Sequence, residues 1–266
     1  MPAQANRGAA LRQALTLSLE ELLARPLAPV IVAVVDSGVD ATHPDLAGRV
    51  AEARRIQAGE ISEVAPGSNN DTYGHGTGVA SIIARVAPNA RIVDIRVLNP
   101  GNVGAGEDLV AGLRLAVRAR HPVVNMSLAS PPRFAPQLAS LCERAFYEDQ
   151  IVVAARRNTP TSDQGFPAEF ASVLGVTTAA VPEHLFLRYQ PRWCIELEAR
   201  GDRVMAAAAG GGYKEMSGTS FAAPAVAGLC ALLLGAFPGL RPHEVRALLC
   251  AYGEDAPPGL AAAAPR

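Results

Sequence analysis

Lysine is nearly missing: of 24 basic residues, 23 are arginine and Lys214 alone is lysine. The skew reads as codon composition rather than chemistry. With 25 acidic residues the formal net charge is −1, and no arginine run exceeds two residues. Binding nucleic acid needs a concentrated basic surface, so that function class is excluded as the main one. Cysteine is scarce too. Cys142, Cys194, Cys230 and Cys250 have no metal-ligand spacing, and three of them fall in helix-like runs. They read as buried, reduced thiols acting as small hydrophobes. No stretch approaches the roughly 18 uninterrupted apolar residues of a membrane span. Nor does the N-terminus carry a signal-peptide core, because Arg12, Gln13, Glu20 and Glu21 interrupt its apolar part. With Met1 still in place, the chain reads as an unprocessed cytoplasmic product.

What is there supports one sizeable core. The 266 residues are 49% hydrophobic and 18% charged, which suits a single α/β unit. Glycine and proline account for 45 residues, enough for many tight turns and too few for disorder. Continuous apolar runs at 30–35, 91–97, 123–126, 151–155 and 172–177 suit strands buried on both faces. Between them, 77–85, 107–119 and 135–147 are long enough for crossover helices. The pattern predicts a doubly wound, mostly parallel sheet with helices on both faces, in three layers. Chemistry in such a fold gathers at the carboxyl ends of the strands. Residues 1–28 form an extension in which Leu11, Leu15, Leu19, Leu22 and Leu23 share one face of an amphipathic helix, which docks on the body or binds a partner, docking being the favoured reading. Residues 29–253 form the main domain, and the Pro- and Ala-rich 254–266 a disordered tail.

Three glycine-marked segments stand out. In VIVAVVDSGVDATHPDL a buried strand ends on Asp36; alone, such a carboxylate is usually a cap or turn former. In DTYGHGTGVASIIARVAP, His75 lies between Gly74 and Gly76 at a helix start, where small neighbours leave the imidazole accessible. In EMSGTSFAAPAVAGLCALLLGAF, Ser220 precedes an apolar helix with Pro224 expected in its first turn. The serine is either an N-cap or a nucleophile whose developing charge meets the helix N-terminus.

Asp, then His, then Ser is the triad order of one serine-protease class. Through DSGVDATHPDL, GHGTGVASIIA and GTSFAAPAVAG the sequence resembles the subtilisin-like serine protease family, with weaker similarity from about Val30 to Tyr252. No GxSxG is present, so the α/β-hydrolase route is not supported. The resemblance implies a serine endopeptidase with Ser220 as nucleophile, His75 as general base and acid, and Asp36 holding the imidazole. It also implies Asn158 as an oxyanion donor. Ser127, Leu128 and Ala129, within NMSLAS, resemble the strand that pairs with an extended peptide. Gly101 and Gly104 belong to the segment on the peptide's other side, and Gly165 aligns with the floor of the pocket for the residue before the scissile bond (P1). Ala155, Arg156, Arg157 and Thr219 complete the expected substrate contacts.

The departures from the family pattern are local. Arg156 and Arg157 replace a small residue and glycine before Asn158. They charge the pocket for acidic P1 residues, obstruct it, or point to solvent or pair with Asp163 or Glu169. Phe221 stands where Met is usual and Ala225 where His is frequent, which implies repacking. Glu198–Val204 keeps only part of a turn found in relatives. Asp45 matches a calcium-binding carboxylate of many members, but the inserted loop that supplies the other ligands is missing after the His75 helix. Calcium takes six to eight oxygens, so no metal or cofactor is expected. Fewer than 30 residues precede the Asp36 strand, too few for the folding-assisting propeptide of secreted members. The reading is a compact, cytoplasmic processing protease acting on extended peptides. Two alternatives stay open: a weakly catalytic peptide-binding protein with its pocket blocked by the arginine pair, and a dedicated processing or ligating enzyme.

Overall fold

Unbroken valine and isoleucine runs leave no polar face, so their strands must be covered on both sides. In the computed structural model, which describes residues 2–158, 164–181, 186–191 and 194–254, this is how they lie. The main sheet has nine strands. In chain order they are β1 (Val30–Asp36), β2 (Val50–Gln57), β3 (Glu60–Val64), β4 (Ala90–Arg96), β5 (Val123–Met126), β6 (Ile151–Ala155), β7 (Val173–Ala179), β8 (Leu187–Tyr189) and β9 (Leu197–Arg200). Their spatial order is β3-β2-β4-β1-β5-β6-β7-β9-β8. Seven strands run parallel, and the two outermost, β3 and β8, are antiparallel edges. A separate hairpin pairs β10 (Val204–Ala207) with β11 (Tyr213–Met216).

Seven helices accompany the strands among the described residues: α1 (Pro2–Ala14), α2 (Leu19–Leu23), α3 (His75–Val86), α4 (Gly106–Arg118), α5 (Ala135–Tyr147), α6 (Thr219–Ala236) and α7 (Pro242–Glu254). One face of the sheet packs on α3 and α6, with α2 and α7 outside them. The other face packs on α4 and α5. This is the doubly wound α/β arrangement that the apolar runs predict.

The strongly polar hairpin β2–β3 is not legible from apolar runs, since most of its side chains face water. At the N-terminus, the expected continuous helix over Leu11–Leu23 is instead two. Helix α1 stops at Ala14, and Ser18 then starts α2 with a capping box, its hydroxyl accepting from the Glu21 N–H while Glu21 accepts from the Ser18 N–H. Leu15 and Leu23 are exposed in consequence, while Leu22 is buried. The expectation that nothing approaches a membrane-spanning length is also corrected. Helix α6 has 18 residues with mean hydropathy 1.8, yet 83% of it is buried inside the protein. Its apolarity on all sides is that of a central helix packed against α3 and the sheet. Cys142 and Cys230 are buried as expected, and burial pushes the Cys142 thiol up to about 12. Cys194 is exposed. The expected tail beyond residue 254 lies outside the described residues.

Helices α3 and α6 approach closely because Gly228 has no side chain: a Cβ there would lie 2.7 Å from Val86 Cβ. Overpacking of this kind costs about 1–3 kcal/mol, so Gly228→Ala is expected to lose that much unfolding free energy, read as a lower urea midpoint. An unchanged midpoint would show that the two helices can separate freely.

Candidate active site

Asp36 closes the central strand β1 at its carboxyl edge and is fully buried. Its Oδ1 accepts from the Ser37 N–H at 2.7 Å and lies 2.6 Å from His75 Nδ1. His75 is the first residue of α3, and what brings it to Asp36 is the lack of a side chain at the next position. A Cβ on Gly76 would sit 2.2 Å from the Gly38 carbonyl oxygen, so only glycine lets the helix start dock on the turn after β1. The N-cap, Gly74, has φ +87° and no capping side chain. Asp71 supplies the cap instead. Its carboxylate accepts from the N–H groups of Gly74 and Thr77 and from the hydroxyls of Thr77 and Ser37, at 2.6–2.9 Å. Ser37 Oγ in turn accepts from the Gly76 N–H at 2.9 Å. In the sequence, an acid just ahead of a helix start is the clue to this role.

Burial pulls the His75 pKa down, but the charge and hydrogen bond of Asp36, with Asp71 behind it, outweigh burial and leave it above the ordinary value of 6.5. A third carboxylate lies deeper. Asp94, on β4 beside β1, is fully buried, and its Oδ2 accepts from the Val39 N–H at 3.1 Å and from Asn69 Nδ2 at 2.7 Å. Its Oδ1 has no hydrogen-bond partner. Burial, reinforced by Asp71 and Asp36, pushes its pKa up to about 7.

Ser220 is the second residue of α6, where backbone N–H groups lack intrahelical partners. Pro224 is therefore inside the helix and not in its first turn, as expected from sequence. Having no N–H, it cannot bond the Ser220 carbonyl four residues back. That freed carbonyl accepts from Ser127 Oγ at 2.8 Å, and Ser220 Oγ donates to the Ser127 carbonyl at 2.9 Å. Asn125 Nδ2 donates to Ser127 Oγ at 3.0 Å and completes the clamp. Ser220 and His75 line the same cleft. Phe221 leans on the imidazole, with ring centroids 5.2 Å apart.

Asn158 follows β6, and its Oδ1 accepts from both the N–H and the hydroxyl of Thr219, at 3.1 and 3.0 Å. With its oxygen so engaged, Nδ2 is left to donate into the cleft. The cleft holds about 510 Å³ and brings His75, Ser220 and Asn158 together. Ser127, Leu128, Ala129, Gly104, Ala155, Arg156 and Arg157 line it as well. Three expected contacts are placed otherwise. Thr219 is buried behind Asn158. Gly165 lies beneath the lining, where a Cβ would meet Arg157 Cβ at 2.7 Å and Ala129 Cβ at 3.4 Å. Gly101 belongs to a turn whose N–H groups, with Val103, are held by Asn99 Oδ1. Of the suggested arginine partners, Asp163 lies outside the described residues, and Glu169 Oε1 accepts from the Gly165 N–H at 2.8 Å. Sequence reasoning also passed over Arg133, which lines the cleft too.

The arrangement can deprotonate a serine hydroxyl and hold a negative oxygen beside it. Comparison with known proteins agrees. Residues 28–256 match the model of the Subtilase family. Subtilisin DY of Bacillus licheniformis is 32% identical over 232 residues, covering 82% of this chain and 81% of that protein. The intracellular serine protease of Paenibacillus polymyxa is 32% identical over 218 residues, covering 77% of this chain and 66% of the relative. Among solved structures, a cold-adapted subtilisin-like serine proteinase aligns with a TM-score of 0.72 at 28% identity, over 86% of this chain and 83% of that one.

Asp94 makes stability depend on pH. A raised carboxyl pKa means that the folded chain keeps a proton that the unfolded chain loses near pH 3.8. Stability therefore falls as pH rises from about 4 to about 7 and stays lower above that. Asp94→Asn is expected to remove roughly 2–4 kcal/mol of that decline, read by urea unfolding at pH 5 and 8. A variant with the parent's pH dependence would show that Asp94 does not titrate in this window.

Proposed function

The chain belongs to the subtilase family of subtilisin-like serine endopeptidases, and from that premise we propose that it cleaves extended peptides through Asp36, His75 and Ser220 with Asn158 as oxyanion donor. The reading rests above all on the 2.6 Å Asp36–His75 contact opening onto the cleft that holds Ser220 and Asn158. Ser220 Oγ attacks the scissile carbonyl while its proton passes to His75 Nε2. The oxyanion so formed accepts from Asn158 Nδ2 and the Ser220 N–H. His75 then returns the proton to the leaving amine, and water hydrolyses the acyl-enzyme by the same path reversed. Asp36 keeps the imidazole in the tautomer that presents Nε2 to the serine.

Residues 29–253 are the catalytic domain on this reading. A cytoplasmic setting is supported by the name of the Paenibacillus relative, an intracellular serine protease. The near-neutral charge favours peptide over nucleic acid as partner. We propose no calcium at the family's Asp45 position. The Asp45 carboxylate accepts from the Tyr213 hydroxyl at 2.7 Å, and α3 passes into β4 through only 87–89, leaving no loop to bring further oxygens. The weakly catalytic peptide-binding alternative is favoured by one observation, the Arg157 stem packed over Gly165 beneath the cleft lining.

A fluorophosphonate probe decides between the two: it is expected to label the protein, and Ser220→Ala to abolish labelling. A folded chain that stays unlabelled is an inert binder. Asn158→Ala should lower kcat about 10²–10³-fold. Because catalysis needs neutral His75, kcat/KM should rise with pH through a midpoint above 6.5. A midpoint well below that would contradict the Asp36 pairing. Adding calcium to chelator-treated protein should leave Tm unchanged, since a ligand bound only by the folded state raises it; a calcium-dependent rise would restore a metal site.

A further inference from the structure

The residues lining the cleft include three arginines, Arg133, Arg156 and Arg157, and, among the described residues, no Asp or Glu. Two come from the wall that ends in Asn158, and their backbone is firmly held. The Arg156 N–H donates to the Val176 carbonyl at 2.8 Å, and the Arg156 carbonyl accepts from the Thr219 hydroxyl at 2.5 Å. Arg157 packs its Cβ over Gly165, at the floor. The third comes from the segment that follows Ser130. Arg133 lies over the Phe134 ring, 4.7 Å from its centroid, and that ring occupies the space where a side chain on Gly106 would be.

The spacing along this wall has a consequence for an extended peptide. Ser127 marks the position of the nucleophile, which it clamps. Ser130 is three residues further, about 10 Å in extended backbone, and Arg133 sits in the short turn just beyond. A peptide with its scissile carbonyl at Ser220 thus meets Arg156 and Arg157 at P1 and Arg133 about three residues nearer its own N-terminus. Guanidinium groups match carboxylates in shape and charge, and the walls of a cleft concentrate their field.

We propose that the substrate class is an acidic peptide, with one carboxylate at P1 met by Arg156 and Arg157 and a second at P3 or P4 met by Arg133. This rests on the protease reading above. Glu169, whose Oε1 accepts from the Gly165 N–H at 2.8 Å, is one carboxylate near Arg157.

The test uses internally quenched peptides that differ only in Glu against Gln at P1, and separately at P4. Glu is expected to raise kcat/KM about tenfold over Gln at P1, and less at P4, with both gains shrinking as salt is added. Arg157→Gln should erase the P1 gain and leave that at P4; Arg133→Gln should do the reverse, and Arg157→Lys should retain part of the P1 gain. The same peptides are titrated by fluorescence anisotropy onto the Ser220→Ala protein, so binding is read without turnover. Enzyme that reacts with the fluorophosphonate but favours Gln, or neither, overturns the charge assignment alone. Unlabelled protein that still binds the Glu peptides more tightly overturns the protease reading alone. Equal binding by unlabelled protein overturns both.

Discussion

A carboxylate held out of water against an imidazole is the constraint to which the rest of this molecule answers. Asp36 has no exposed surface, and a buried charge must be paired and hydrogen-bonded or it will not stay ionised. The pairing with His75 at 2.6 Å meets that demand, and it dictates where α3 must begin. The central strand, the glycine after the histidine and the turn at Gly38 follow from it, because no looser approach brings the two side chains together. The raised His75 pKa is the same interaction seen from the other partner.

Around this pair the backbone polar groups are assigned with little left over. Asp71 satisfies four donors at the start of α3, a helix whose own N-cap is glycine and can offer none. Pro224 works in the opposite sense. By withholding an N–H it releases the Ser220 carbonyl, which Ser127 then takes up. One helix is thus capped from a distance and the other deliberately left open at one carbonyl, and both devices hold catalytic side chains to rigid main chain. Rigid placement of this kind is how an active site avoids reorganising during the reaction. The exceptions are side-chain oxygens: Asp36 Oδ2, Asn69 Oδ1, Asp94 Oδ1 and Asn125 Oδ1 are buried without a hydrogen-bond partner.

Much of this was legible before any coordinates. Strands buried on both faces announce themselves as unbroken apolar runs, so β1, β4, β5, β6 and β7 were found to within a residue or two. The hairpin β2–β3 was not, because at the sheet's edge its side chains face water and leave no apolar run. The break between α1 and α2 was hidden for a related reason: leucine spacing continues through it, and the competing Ser18–Glu21 capping box is a local preference that periodicity does not register. At the site, the three glycine-marked segments in Asp, His, Ser order gave the reacting residues away. Asp71 had a local mark, an acid just ahead of a helix start, that the histidine beside it overshadowed, while Asp94, bonded to Val39 and Asn69 far along the chain, had none, and nothing local marks Arg133 as a cleft residue.

These differences also explain where the family pattern could bend. Gly76 cannot change, since its missing side chain is the contact with Gly38, and Pro224 is bound to the release of one carbonyl. At Arg156 the main chain is fixed, its N–H given to Val176 and its carbonyl offered to Thr219, and the Arg157 stem fits over Gly165. These main-chain bonds need no particular side chain, so positions 156 and 157 can depart from the family pattern while the segment that leads to Asn158 keeps its course.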